Sequence, residues 1–160
     1  MKNKKLVIIT VIFIVIMVIL VSFLILCIFS LNKNNNIDLN ILDSKINEVS
    51  TFNDARMKKI TISNINEIFD IDENYINGVI GKLPLIDIYS SMYVVIEPKQ
   101  GYEDTILQKL QEYGKKYEEK WSTYMEDQYQ IVLNRKIDKK GRYIYLIVSD
   151  DVDEILDCIK

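Results

Sequence analysis

Residues 6–31 read LVIITVIFIVIMVILVSFLILCIFSL and contain neither a charged residue nor a proline. A helix of this length would extend about 39 Å, whereas the hydrocarbon core of a bilayer is about 30 Å thick. An amphipathic helix of a soluble protein would carry polar residues at regular helical intervals, and this run does not. The run therefore predicts one uncleaved transmembrane helix, between a basic tag at residues 1–5 and the rest of the chain.

Two kinds of N-terminal processing fit this run less well than an uncleaved helix does. The apolar region of a cleaved signal peptide is about 7–15 residues long and is followed by small residues, whereas this run is longer and lacks such a site. A lipoprotein would be cut just before a modified cysteine, here Cys27, but bulky Leu26 occupies the position that needs a small side chain. A minor cleaved or lipidated fraction stays open at this stage.

The distribution of lysines predicts the orientation of the helix. Lys2, Lys4 and Lys5 precede it, whereas Lys33 is the only basic residue that closely follows it. Because basic flanks stay in the cytoplasm, we expect a single-pass protein of the cell membrane with a cytoplasmic N-terminus. Residues 32–37 are then a polar linker, and residues 38–160 form one extracytoplasmic domain.

Composition excludes several functions for that domain. The chain has 20 basic and 23 acidic residues, and three of the lysines lie in the N-terminal tag, which leaves a net charge of −6 after it. Nucleic acid is therefore not an expected partner. The chain has no histidine, so it lacks the commonest general base and zinc ligand. Cys27 and Cys158 are the only cysteines, and the predicted domain therefore has no internal disulfide.

The strand signals indicate an antiparallel sheet. Residues 92–97 and 142–148 are apolar strands, and the second is apolar on both faces, as expected for a strand covered on both sides. Asn77-Gly78 is a turn signal, and residues 79–88 alternate loosely as an edge or bulged strand, because Pro84 cannot donate to a ladder. The prediction is an α+β domain whose sheet has three or four mainly antiparallel strands with helices packed on it.

Helical patterns accompany these strands. The first begins at residue 38, where Asp38 or Asn40 is placed to cap the helix. One long helix aligns five apolar or aromatic residues at spacings of four, three, four and four: Ile106, Leu110, Tyr113, Tyr117 and Trp121. This stripe predicts packing against the sheet, and a ligand shelf is the less favoured alternative. Residues 124–133 are interpreted as a short helix that runs into a strand. The last helix opens at residues 149–151, where Asp151 is predicted to cap it with Glu154 as its capping-box partner.

Two acidic groups resemble cation sites. Asp70, Asp72 and Asn74 match the first positions of a calcium loop, but Tyr75 and Gly81 stand where that loop requires glycine and glutamate. The second group is Asp150, Asp151, Asp153 and Glu154. Helix capping explains it more simply than a metal does. We therefore predict no catalytic residue, no cofactor and no metal site.

The order of elements resembles the bacterial domain of unknown function family numbered 4358. The strand at 92–97, the Tyr-rich helix and the ending GRYIYLIVSDD at residues 141–151 carry this resemblance, which covers roughly residues 38–160. Membership implies a small exported or membrane-anchored protein of a Gram-positive bacterium. The family has no assigned activity, so the resemblance implies no catalytic residue.

The sequence favours a non-enzymatic binding or accessory module of the cell envelope. Its expected partners are membrane lipid through residues 6–31 and an envelope protein, peptide or cell-wall component through the domain. The alternative is a hydrolase that uses paired carboxylates, which are about 5–9.5 Å apart in glycosidases. Two close buried carboxylates in a pocket would favour the hydrolase, and a broad exposed apolar patch would favour binding.

Overall fold

The computed structural model describes residues 13–26, 38–49, 52 and 56–159. The chain divides into two units, with the boundary between residues 36 and 37. Residues 13–26 form a helix, α1, whose side chains are exposed. None of the helices within the described residues combines the length and the apolar character needed to cross a membrane. Residues 6–12 and 27–31 of the predicted span, Cys27, the basic tag and the linker lie outside the described residues.

A five-stranded antiparallel sheet forms the centre of the second unit. The strands are β1 (Met57–Lys59), β2 (Ile76–Pro84), β3 (Met92–Pro98), β4 (Lys136–Lys140) and β5 (Tyr143–Val148). Their order across the sheet is β1-β2-β3-β5-β4, and every neighbouring pair is antiparallel. The predicted α+β class is confirmed. The predicted number of three or four strands is wrong, because β1 and the charged strand β4 gave no apolar signal.

Both faces of the sheet are covered by helices. One face packs against α2 (Leu39–Val49) and α6 (Val152–Cys158). The opposite face packs against α3 (Ile65–Phe69), α4 (Glu103–Trp121) and α5 (Glu126–Leu133). In β5, Tyr143, Tyr145 and Ile147 face the first layer, while Ile144, Leu146 and Val148 face the second. The two-sided burial predicted for this strand is confirmed.

The predicted apolar stripe of α4 packs against the sheet. Ile106, Leu110, Tyr117 and Trp121 are buried and Tyr113 is partly buried, so the packing interpretation is confirmed. Gly114 is also buried in this interface, and a Cβ added there would lie 2.6 Å from Ile137 Cδ1. The missing side chain therefore lets the middle of α4 approach β4.

Three local predictions are wrong because tertiary packing overrides the local signal. Asn77-Gly78 is not a turn between elements: it lies within β2, where the register shifts between Ile76 and Gly78. β2 pairs with strands on both sides, so the edge alternative is wrong, whereas the register shift agrees with the bulged alternative. The strand ends at Pro84, before the predicted residue 88. The segment predicted to become a strand before residue 133 is helical to Leu133, and the strand begins at Lys136.

The helix caps agree with prediction at one end of the domain and differ at the other. Asp38 Oδ1 accepts a hydrogen bond from the Asn40 amide at 2.8 Å and so caps α2. The side chain of Asp151 makes no cap hydrogen bond to α6, so the predicted capping box is wrong. The Asp151 amide instead donates to Ser149 Oγ at 3.1 Å, and this contact shapes the turn into the helix.

Candidate functional site

The loop between β2 and β3 forms an exposed apolar surface at one end of the sheet. Leu85, Ile86, Ile88 and Tyr89 are 58%, 43%, 46% and 38% exposed, and we call these four side chains the apolar loop. The register of Met57 with Pro84 and of Met92 with Val148 places the start of β1 and the end of β5 beside it. Exposed apolar side chains that are contiguous mark interaction sites more often than scattered ones do.

The charged residue of this loop is turned towards α4. Asp87 Oδ1 accepts a hydrogen bond from Lys120 Nζ at 2.6 Å, which neutralises the one formal charge between Pro84 and Ser90. Both side chains remain at least half exposed, so this ion pair orients the loop more than it stabilises the fold. The loop therefore presents apolar groups to solvent without a free charge of its own.

Buried hydrogen bonds fix the loop where it enters β3. The Ser90 amide donates to Gln128 Oε1 at 2.8 Å, and Tyr117 Oη donates to the Ser90 carbonyl at 3.0 Å. Burial raises the pKa of Tyr117 well above the ordinary tyrosine value, so this hydroxyl stays protonated and keeps its role as donor. The loop is thus held by α4 and α5.

A cleft of about 280 Å³ adjoins the apolar loop. Arg56 lies on one side, where its guanidinium stacks over the ring of Tyr89 at 4.7 Å and donates to the tyrosine hydroxyl at 2.7 Å. The residues that line the cleft are Phe52, Arg56, Met57, Tyr89, Ser91, Gln128, Ile131 and Asp150. Apolar walls with a few polar groups at the rim are typical of sites that accept an apolar side chain.

The acidic group at the start of α6 lies close to this cleft. Asp150, Asp151, Asp153 and Glu154 line a depression of about 460 Å³, and Asp150 also borders the cleft. Asp151 is half-buried and the other three are exposed. The two close, buried carboxylates that would favour a hydrolase are therefore not found in this group.

The residues that resembled a calcium loop have other roles in the structure. Asp72 Oδ1 accepts hydrogen bonds from the Asn74 amide and side chain at 2.8 and 2.9 Å. Asp70 pairs with Lys109 of α4, and this contact lowers the pKa of the Asp70 carboxyl. Within the described residues, no three potential ligand side chains are grouped so that they could hold a metal ion.

The sequence patterns did not single out the apolar loop, because residues 79–88 were predicted to form an edge or bulged strand. The available signal was the run LIDIY at residues 85–89, which follows Pro84 and is bounded by Ser90 and Ser91. A proline followed by an alternating apolar run is also compatible with a strand. The run is exposed because β2 ends at Pro84.

The chain folds into a small antiparallel α+β domain with helices on both faces of its sheet, and the apolar loop lies at one end of that sheet. Residues 50–149 match the family described as "Domain of unknown function (DUF4358)", and the chain belongs to that family. The predicted membership is confirmed, over a shorter range than residues 38–160. Neither the curated proteins nor the solved structures contain a significant match.

Proposed function

We propose that the chain is a non-enzymatic binding module of the cell envelope, anchored in the membrane by residues 6–31. The observation that supports binding is the apolar loop, which is exposed, free of unpaired charge and held from behind by α4 and α5. Its partner is a protein or peptide that covers the loop and places an apolar side chain in the adjoining cleft. The carboxylate hydrolase is the weaker alternative, because the acidic group at α6 is open to solvent.

The apolar loop lies far from the point at which the chain enters the domain. Leu39, at the start of α2, contacts the strand at Gly78, so the chain enters the domain beside the first residues of β2. Pro84, where the loop begins, is six residues further along β2, or about 20 Å at the rise of an extended strand. A partner on the loop would therefore bind at the end of the sheet that is remote from Asp38.

Site-specific photocrosslinking in intact cells tests the binding proposal. A photoreactive residue in place of Ile88 should capture one defined partner, and Leu85→Ser combined with Ile86→Ser should abolish that capture. Ile62 is the matched control, because it is the same residue type with nearly the same exposed fraction, 44% against 46%. Equal capture from positions 62 and 88, or capture that survives the double substitution, would refute the proposal. Adducts with lipid alone would indicate a membrane contact instead.

The proposed location is tested separately. Protease added to intact protoplasts should degrade residues 38–160, and the mature protein should retain Lys2, Lys4 and Lys5 by mass spectrometry. Protection until the cells are lysed would show that the orientation is wrong. A mature chain that begins at a lipid-modified Cys27 would show that the anchor is wrong.

A further inference from the structure

A second concave surface lies between α3 and α4, away from the cleft beside the apolar loop. Its volume is about 380 Å³. Lys109, Tyr113, Lys116, Tyr117 and Lys120 come from α4, where spacings of three, four and seven place them along one side of the helix. The opposite wall is formed by residues 67–70 at the end of α3. We call this surface the lysine groove.

The two outer lysines of the groove already bind carboxylates from other elements. Lys109 pairs with Asp70 at the end of α3, and Lys120 pairs with Asp87 of the β2–β3 loop. Each contact joins residues more than 30 positions apart, so it depends on the tertiary fold. Each end of the lysine groove therefore already binds one carboxylate, Asp70 at Lys109 and Asp87 at Lys120.

In the middle of the groove, two hydrogen-bond donors have no acceptor among the described residues: Lys116 and the Tyr113 hydroxyl. Lys116 makes no hydrogen bond or ion pair with the described residues, although its charge acts on Asp70 from a distance. Tyr113 lies three residues before it, where its ring stacks on Tyr117 and makes a tilted contact with Phe69. The Tyr113 hydroxyl has no acceptor among the described residues. Burial raises the pKa of Tyr113 to about 12, so the hydroxyl is a donor at neutral pH.

We propose that the lysine groove binds a carboxylate group between Lys109 and Lys120. The carboxylate would accept one hydrogen bond from Lys116 Nζ and one from the Tyr113 hydroxyl, in the manner in which Asp70 and Asp87 are held on either side. Glu67 and Glu112 also line the groove, and their charges oppose ligands that carry several negative charges. A ligand with a single carboxylate is therefore favoured over phosphate or a polyanion. The groove shares Lys120 and Tyr117 with the contacts that hold the β2–β3 loop, but none of the four side chains of the apolar loop lines it. Binding of a carboxylate there does not require the proposed partner.

Nuclear magnetic resonance on the isotope-labelled full chain in uncharged detergent tests the site. N-acetylglycine carries one carboxylate, and N-acetylglycinamide is its uncharged counterpart. The acid should shift the amide signals of residues 109–120 in a saturable manner, and the amide should not. N-acetyl-aspartate N-methylamide presents the carboxylate as a peptide side chain, so the tighter of the two acids identifies the source as a terminal or a side-chain group.

Lys116→Met should weaken the affinity for the better acid by about tenfold or more, because one charge-assisted hydrogen bond is lost. Lys115→Met is the matched control, since it removes the same charge from the neighbouring residue, which does not line the groove. Tyr113→Phe should weaken binding by a smaller factor. Four results would overturn the proposal: no saturable shift with either acid, equal shifts with the uncharged amide, equal loss in both lysine variants, or inorganic phosphate binding as tightly.

Discussion

Trp121 has its indole ring buried at the end of the α4 stripe, with Tyr117 and Tyr124 in edge-to-face contact. Its Nε1 is buried and has no hydrogen-bond acceptor among the described residues. A buried donor without a partner costs free energy, whereas the ring contributes a large apolar area. The two parts of this side chain therefore act on stability in opposite directions.

Substitutions at Trp121 should separate these two effects. Trp121→Ala should lower the free energy of unfolding by about 3–5 kcal/mol, out of a net stability of about 5–15 kcal/mol for a domain of this size. Trp121→Phe keeps a ring and removes the unpaired donor, so its loss should be clearly smaller. Urea unfolding followed by circular dichroism measures both. Because Trp121 is the only tryptophan, its native emission should shift to the red on unfolding, and an unshifted spectrum would contradict its burial.

Buried tyrosines predict a loss of stability in alkali. Burial raises the pKa of Tyr113 to about 12, and burial with the hydrogen bond to Asp43 raises the pKa of Tyr93 further above its ordinary value. Above about pH 10 the unfolded chain loses these protons while the folded chain keeps them. The free energy of unfolding should therefore be unaffected by them below about pH 10 and fall above it, by about 1.4 kcal/mol per pH unit for each tyrosine.

Urea titrations at neutral and alkaline pH measure this slope, and absorbance of the tyrosinate form follows the protons directly. Tyr113→Phe is the informative variant, because it removes one raised pKa and should make the alkaline slope shallower. A free energy of unfolding that stays constant between about pH 9 and pH 11 would contradict the assignment.

At the scale of elements, both edge strands are protected from pairing with other chains. β1 has three residues and carries Lys58 and Lys59, and the Lys59 carbonyl accepts a hydrogen bond from Asn64 Nδ2 at 3.1 Å. In β4 the Lys139 amide donates to Asp138 Oδ1 at 2.7 Å. Short, lysine-rich edges with locally satisfied backbone groups resist edge-to-edge association. This requirement explains why β4 has a charged sequence that did not predict a strand.

Two glycines of β2 offer a paired test of the sheet. A Cβ added at Gly81 would lie 2.4 Å from the Tyr93 carbonyl oxygen of the neighbouring strand, which cannot move without disturbing the ladder. A Cβ at Gly78 would meet only Leu39 Cδ1, at 2.7 Å, and that side chain can adjust. Gly81→Ala should therefore lower the free energy of unfolding by about 2 kcal/mol or more, and Gly78→Ala by clearly less. Equal losses in thermal unfolding would show that the close approach at Gly81 is not decisive.

At the scale of the whole molecule, the family match and the folded unit have different boundaries. Residues 50–149 contain the sheet and the layer of α3, α4 and α5, but neither α2 nor α6. These two helices cover one face, and α2 also binds it through polar contacts. Tyr93 Oη donates to Asp43 Oδ1 at 2.5 Å, and buried Lys82 donates to Asn47 Oδ1 at 2.6 Å. Without α2 and α6, an apolar face that includes Val95 and Ile147 would be open to water.

Two fragments test where the domain ends. Residues 37–160 should fold cooperatively and remain soluble, because both faces of the sheet are covered. Residues 50–149 should aggregate or unfold without cooperativity, because one apolar face is exposed. Size-exclusion chromatography and thermal unfolding measure the difference. Equal stability of the two fragments would show that α2 and α6 are dispensable for the fold.

The sequence by itself predicted the elements whose burial is visible as an apolar run or an apolar stripe. β3 and β5 follow from short continuous apolar runs, and the α4 stripe follows from its helical spacing; the structure confirms all three. The family was predicted for a related reason, since the residues of these elements carry the resemblance.

Only the tertiary structure decided the features that depend on partners distant in the sequence. Asn77-Gly78 is a bulge because β2 continues along β3, and β4 is a strand because it pairs with β5. The apolar loop is exposed because Lys120 binds Asp87 and Gln128 binds Ser90, more than 30 residues away. Short polar motifs have several local solutions of similar free energy, so the long-range contacts select among them. Apolar runs and apolar helical stripes reflect burial within a single element, and they were therefore readable from the sequence alone.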